Sequence, residues 1–391
     1  MITIINTPSG KPSIQDDLWH VVSSNNVSGL GFKYVFDIFI GGVQKVRVKQ
    51  FPDPTTNRGY LNASAIVKNS ITYDWVTFDN SVSCAKPNIS GEVGLDYDVR
   101  YGEEISGVTS LNLISGTTRA YNWRPPIFKR RIKGISDYNN TWVTSRPLRT
   151  SIDYPEISGS TYIGEKLMVG FNRVASLSLV VNVFNYDGSF TTTNLGAISA
   201  SASEYHQLNI SPSAINNYAG SALIGTNCKY YEVYLNGADN IFRVDIICDR
   251  GYKAIPLHFM NAWGFFDTAR FGLVRRLNME VERKGFTKRD YKFELSSVDY
   301  YTGNKAVESK INHAQRGIFT YNLTMDAPTD EDYEWLYELL LSPQVYAEID
   351  GYLYPVTIKT SNYEFSTIIN NRLRVFEIEI ELNQTRYAHA R

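Results

Sequence analysis

Hydrophobic and polar positions in this chain alternate mostly with period two, in short runs closed by Gly, Pro and Asn, which is the pattern of β-strands packed on one face. Residues 32–40 form an apolar run. Gly41-Gly42 follows as a tight turn able to take positive φ, and residues 43–51 return with Val46 and Val48 alternating against Lys45, Arg47 and Lys49. Pro52-Asp53-Pro54 closes that strand, because proline cannot donate to a ladder. Further strands are predicted at 96–101 and 105–114, and residues 1–150 read as an N-terminal β-sandwich-like domain.

Residues 151–250 read as a second, immunoglobulin- or fibronectin-like β domain. Its signals are the strongly apolar run 177–184, the Asp187-Gly188 turn, the Thr-rich strand 190–195, and a hairpin of 230–235 with 241–248 around Asn236-Gly237. Residues 251–391 differ in pattern. Leu277, Met279 and Val281 alternate with Asn278, Glu280 and Glu282. Near the C-terminus Phe376, Ile378, Ile380 and Leu382 alternate with Glu377, Glu379 and Glu381. Between them lies the one segment with a clear 3.6-residue period. Thr329 is its N-cap and Asp332 completes a capping box; Tyr333, Leu336, Tyr337, Leu339 and Leu340 form its apolar stripe, and Ser342-Pro343 ends it. The expected fold is therefore mainly β: two sandwich units, then a C-terminal α+β unit.

Composition narrows the function classes. Lys plus Arg number 39 and Asp plus Glu 40, so a general nucleic-acid binder, which carries a basic excess, is disfavoured. There is no run of about 18 apolar residues to span a membrane as a helix, and no basic-then-apolar leader is visible at the N-terminus. Three cysteines, Cys84, Cys228 and Cys248, form an odd, sparse set that fits free thiols in a reducing cytoplasm.

The search for reactive chemistry yields little. None of the five histidines stands at a metal-ligand spacing, no Cys-x-x-Cys occurs, and no phosphate-binding glycine loop follows a strand. No catalytic residue, metal or cofactor is expected. Glu103-Glu104 is the best local carboxylate pair for glycoside hydrolysis, but neighbours on a strand point to opposite faces, and a solvated turn is the favoured reading. The basic patch Lys129-Arg130-Arg131 reads as a loop or an interface with an acidic partner. The aromatic stretch around Trp263, Phe265 and Phe266 reads as a buried junction or a protein–protein contact, with stacking on sugars as the rival use.

Several segments together resemble a family of virion proteins of tailed bacteriophages that infect Bacteroidetes, the crAss-like phages included. They are residues 17–24, 32–40, Phe51-Pro52-Asp53-Pro54, and Arg100-Tyr101-Gly102-Glu103-Glu104. The stretch 257–271 joins them: relatives often read Asn-x-x-Gly-Gly-x-Asp, and here Asn261, Gly264 and Asp267 match while Phe265 replaces the second glycine. Residues 342–346, 354–358 and 376–382 complete the likeness. The C-terminal order of strand, helix, hairpin and long strand is also similar to phage tail-tube and distal-tail subunits, which build rings by joining sheets edge to edge.

The resemblance implies a non-enzymatic tail hub, ring or connector subunit, made in the bacterial host's cytoplasm and located in the virion tail. Its implied partners are further copies of itself in a six- or twelve-fold ring, other tail and connector proteins, and DNA only in passage. Glu377, Glu379 and Glu381 would then line the channel, an acidic wall keeping DNA from adhering. Trp263, Phe265, Phe266, Lys129, Arg130 and Arg131 would form interfaces. The alternative is a carbohydrate- or receptor-binding β-sandwich protein; a polysaccharide-cleaving enzyme ranks third.

Overall fold

The computed structural model describes residues 1–9, 12–71, 85–87, 93–123, 141–158, 161–172, 178–197, 205–236, 240–247, 253–287, 291–293, 301–303, 310–326, 329–360, 375–383 and 386–387. The chain is mainly β, with several antiparallel sheets and little helix. It divides into two units. The first is Met1–Asp249 with Phe259–Thr268; the second is Arg250–His258 with Ala269–Arg391.

Among the described residues the first unit holds two large apolar cores and a smaller third cluster. The N-terminal core is held between two sheets. One has the order Ile2–Asn6, Trp19–Ser24, Gly59–Asn62; the other has Val43–Gln50, Lys33–Ile40, Gly94–Ile105, Val108–Ile114. Gly41 and Gly42 both take positive φ at the predicted hairpin turn, as its tight reversal requires. Inward residues alternate as expected: Tyr34, Phe36 and Ile38 meet Val22, Leu61, Val99 and Tyr101.

The strand predicted to end at residue 101 continues to Ile105, and the turn falls at Ser106 and Gly107, both at positive φ. Gly102 makes this possible. A Cβ there would stand 2.4 Å from the Ser110 carbonyl oxygen, so only glycine lets the two strands approach so closely at the bulge. Glu103 and Glu104 are consequently buried strand residues, which corrects the solvated turn expected of them.

The second core of this unit is also sandwiched. One sheet runs Arg149–Asp153, Phe242–Ile247, Cys228–Leu235, Ser178–Asn185, Phe190–Ala197, with its first pair parallel. The other runs Thr141–Trp142, Met168–Asn172, Tyr205–Asn209, Ala85–Pro87. Residues 85–87 and 141–142 thus serve the middle sheets although they precede residue 150. A helix that periodicity does not reveal, Pro212–Ala219, also packs here. Ser211 caps it, proline occupies its first position and Gly220 ends it at φ 65°, while only Ala214 and Ile215 supply an apolar stripe.

Met168–Asn172 is buried on both faces. Val169 and Phe171 enter the middle core. On the opposite face the backbone N–H of Met168 donates to Thr268 Oγ1 (2.8 Å), and Gly170 lies against the Phe265 ring.

In the second unit the sheet order is Val345–Ile349, Tyr352–Ile358, Val375–Leu382, Lys310–Asp326, Val274–Thr287, all antiparallel. Helix Asp330–Leu341 carries the predicted capping box: the Asp332 N–H donates to Thr329 Oγ1 (3.1 Å), and the Thr329 N–H donates to the Asp332 carboxylate (3.1 Å). Its buried face is Tyr333, Trp335, Leu336 and Leu339; Tyr337 faces solvent and Leu340 is half-buried, so Trp335 takes the place expected of Tyr337. The Tyr333 ring sits edge-on to Phe376, which docks the helix on the apolar face of Val375–Leu382. Leu336→Ala is expected to destabilise this unit by about 2–5 kcal/mol and Leu340→Ala by distinctly less. Denaturant unfolding of the full chain, read by far-ultraviolet dichroism, checks the order; equal effects would mean the helix is seated differently. Among the described residues no helix is long and apolar enough to cross a membrane.

Candidate functional surface on the C-terminal sheet

Burial along Val375–Leu382 alternates as the sequence predicts: Phe376, Ile378 and Ile380 are buried, Glu377 and Glu379 exposed, and Glu381 partly covered. Register extends this division across neighbouring strands. Glu377, Glu379 and Glu381 lie opposite Thr324, Asn322 and Thr320, and Asn322, Thr320, Ile318 and Arg316 lie opposite Arg276, Asn278, Glu280 and Glu282. Directly paired residues share a face. The three C-terminal glutamates therefore stand on one polar surface with Glu280 and Glu282.

That surface is mixed in charge. Lys359 forms an ion pair with Glu381, and Arg316 approaches Glu282 at 4.0 Å. The Lys359 ammonium is held above its usual range, first by its hydrogen bond to Glu381 and then by that residue's charge, with Glu379 and Glu280 adding to it. One lysine thus senses carboxylates from two strands of the face, Val375–Leu382 and Val274–Thr287. Glu381 is already countered within the chain, leaving Glu377 and Glu379 as the outward acids of the row.

The opposite face changes character from the middle of the sheet to its edge. Under the helix it is core. Farther out, Leu277 pairs across from Tyr321 and Met279 from Phe319; Tyr321 is buried, whereas Leu277 is 51% and Met279 58% exposed. Among the described residues Val274–Thr287 is the outermost strand, exposed at every position but Val281. Among those residues no further strand pairs with its outer edge, which runs for 14 residues. Sequence alternation locates this strand correctly, but the apolar side chains that alternation ordinarily sends inward are here left uncovered.

Trp263, Phe265 and Phe266, read from sequence as a buried junction or a protein–protein contact, are interior residues of the first unit. Trp263 and Phe265 form a cluster with Val93, Tyr121 and Val143, between residues of the N-terminal and middle parts of the chain. The turn that carries them is built by Asn261, whose Oδ1 accepts from the N–H groups of Trp263 (3.0 Å) and Phe265 (3.1 Å) while its amide donates to the Val143 carbonyl (2.9 Å). Gly264 takes φ 84° with no room for a side chain beside the Asn122 carbonyl. The Asp267 carboxylate accepts from Thr144 Oγ1 (2.6 Å). Asn261, Gly264 and Asp267 therefore each have a structural task, and the Phe265 ring fits because Gly170 facing it has no Cβ. Lys129, Arg130 and Arg131 lie outside the described residues, as do Cys84 and Cys248.

Glu103 and Glu104 do not converge. Glu103 points inward and accepts from Ser24 Oγ (2.6 Å) and Asn26 Nδ2 (2.8 Å), whereas Glu104 points outward to Lys49, Lys33 and Thr109. The Glu104 carboxyl is held below its usual range, chiefly by the Lys49 hydrogen bond. Cys228 is a buried free thiol, pushed up to about 12 by burial, which makes it a weak nucleophile.

The outer face of the middle sheet carries an aromatic row that bears on sugar binding. Phe184 stacks on Tyr230 (4.4 Å between centroids) and touches Phe190 (4.8 Å), and the Arg243 guanidinium lies over Tyr230 at 3.7 Å. These contacts take up part of the ring surface that would stack on a sugar, while Phe190 stays 55% exposed. No protein-family model matches the chain, and no curated protein matches it.

Proposed function

We propose that this chain is a non-enzymatic structural subunit of a bacteriophage tail, a hub, ring or connector component that assembles with copies of itself around a DNA channel. The observation that carries the reading is Val274–Thr287, the outermost strand of the C-terminal sheet among the described residues, with exposed Leu277 and Met279. A strand edge this long is a template for strand addition, and Leu277 and Met279 lend it exposed apolar side chains among its charged ones. A neighbouring copy that adds a strand there would satisfy its hydrogen bonds and bury its apolar side chains. Repeated around a six- or twelve-fold ring, the same joint would set Glu377 and Glu379 in circles on the polar face, next to passing DNA.

The sequence resemblance to phage virion proteins supports the same reading, as does the likeness of the C-terminal strand and helix order to tail-tube and distal-tail subunits. Light scattering and negative-stain imaging of the purified chain test it. Closed rings or discrete oligomers are expected. Leu277→Lys combined with Met279→Lys should give monomers with unchanged far-ultraviolet dichroism. A wild-type chain that stays monomeric at high concentration would overturn the edge-joined ring.

A further inference from the structure

The two sheets around the N-terminal core are joined by polar links at one place in an otherwise apolar interior. His20, on Trp19–Ser24, is fully buried. Its Nδ1 lies 2.7 Å from the Tyr101 hydroxyl and its Nε2 3.1 Å from the Tyr97 hydroxyl, both on Gly94–Ile105 of the facing sheet. Along the same pair of strands, Glu103 accepts from Ser24 and Asn26. We propose that these two links form an acid-released latch between the sheets of the N-terminal sandwich.

The chemistry follows from donor and acceptor counting. A neutral imidazole has one N–H and one lone pair, so one tyrosine receives a hydrogen bond and the other donates one. Protonation makes both nitrogens donors. The tyrosine that was donating then loses its acceptor in a dry interior, and a positive charge is left there. The groups facing this space are few. Gly94–Ile105 presents Tyr97, Tyr101 and Glu103, Lys33–Ile40 presents Tyr34, the Ser115 side chain hydrogen-bonds to Tyr101, and the N-terminal ammonium stands 3.7 Å from Glu103. Ile2–Asn6, Gly59–Asn62 and helix Ser64–Lys68 send in Ile2, Leu61 and Val67, which are apolar. Among the described residues the His20 ring hydrogen-bonds to the two phenols and to no carboxylate that would stabilise an imidazolium.

Burial accordingly lowers the His20 pKa from 6.5 to about 4. Glu103 is raised by burial, but the bonds from Ser24 and Asn26 and the N-terminal charge outweigh that and hold it below its usual range. Both shifts have the same sign: each folded value is depressed, so each link adds stability above the unfolded pKa and loses it as pH falls. For His20 the loss runs from 6.5 down to about 4, and Glu103 adds to it below the ordinary carboxylate range. Opening would bare the inner faces carrying Val22, Phe36 and Val99.

Hydrogen exchange of the full chain between pH 7 and pH 3, corrected for intrinsic rates, tests the latch. The open population of Trp19–Ser24 and Gly94–Ile105 should rise roughly tenfold per pH unit between about 6.5 and 4, because one proton is taken up on opening. Lys310–Asp326 should stay protected over that range. His20→Gln should abolish the rise above pH 4, and Glu103→Gln should flatten only the part below it. Identical pH profiles for wild type and His20→Gln would overturn the proposal. Should His20→Gln fail to fold, nuclear magnetic resonance titration of the wild-type imidazole decides. Titration near 4 supports the latch; titration near 6.5 with both strands still protected overturns it.

Discussion

Gly170→Ala should cost about 3 kcal/mol or more, an unusual loss for the addition of one methyl group. The added Cβ would stand 2.3 Å from Cγ and 2.4 Å from Cδ1 of Phe265, far inside van der Waals contact. The ring has nowhere to go. Phe265 is fully buried, and its backbone is fixed from both sides: its N–H donates to Asn261 Oδ1 and its carbonyl accepts from the Asn261 N–H at 2.7 Å. The strand carrying Gly170 is equally constrained, since Val169 and Phe171 fill the core behind it. A double-mutant cycle makes the argument specific. Phe265→Ala alone should cost about 3–5 kcal/mol, but the pair should cost clearly less than the sum of the singles, because removing the ring makes room for the methyl. Additive values in denaturant unfolding would show that the clash is relieved by some other movement.

Asn261→Ala should be similarly severe, at about 3–5 kcal/mol. Its side chain makes three hydrogen bonds to backbone groups that are buried with it, and each group left unsatisfied costs about 1–3 kcal/mol. Alanine would leave the Trp263 and Phe265 N–H groups and the Val143 carbonyl without that partner. Because those bonds shape the turn that inserts Trp263 and Phe265, their cluster with Val93, Tyr121 and Val143 should loosen as well. The expected readout is a lower unfolding midpoint for the first unit and faster hydrogen exchange at Val143, with the Lys310–Asp326 amides unchanged. Normal stability in Asn261→Ala would mean that water replaces the lost bonds.

The sequence displays some of this architecture and conceals the rest for identifiable reasons. Strands with one covered face, such as Val375–Leu382, follow from alternation because solvent and core impose opposite preferences on successive residues. The capping box at Thr329 was legible because it is local. Helix Pro212–Ala219 was missed although its cap signals, Ser211-Pro212 and Gly220, are present, since Asn216 and Asn217 stand where an apolar stripe would continue. The polar face of the C-terminal sheet was foreseen from Glu377, Glu379 and Glu381, but the partners Lys359 and Arg316 were not. Those pairings depend on register between distant strands, which periodicity within one strand does not encode. Aromatic density correctly singled out Trp263 and Phe265 as a packing focus; composition alone could not say whether the surface they fill belongs to this chain or to another.

Residues Phe259–Thr268 belong to the first unit although Arg250–His258 before them belong to the second. This bears on how the molecule is synthesised and cut. While the ribosome has reached only Asp249, Gly170 faces no ring, Thr144 has no Asp267, and the Met168 N–H lacks Thr268. At roughly 5–20 residues per second, a few seconds of translation separate the nascent body from the segment that completes it. During that interval one side of Met168–Asn172 is open to chaperones and to wrong partners. A gene truncated after codon 249 would make that transient state permanent, whereas one ending after codon 268 would supply the missing turn.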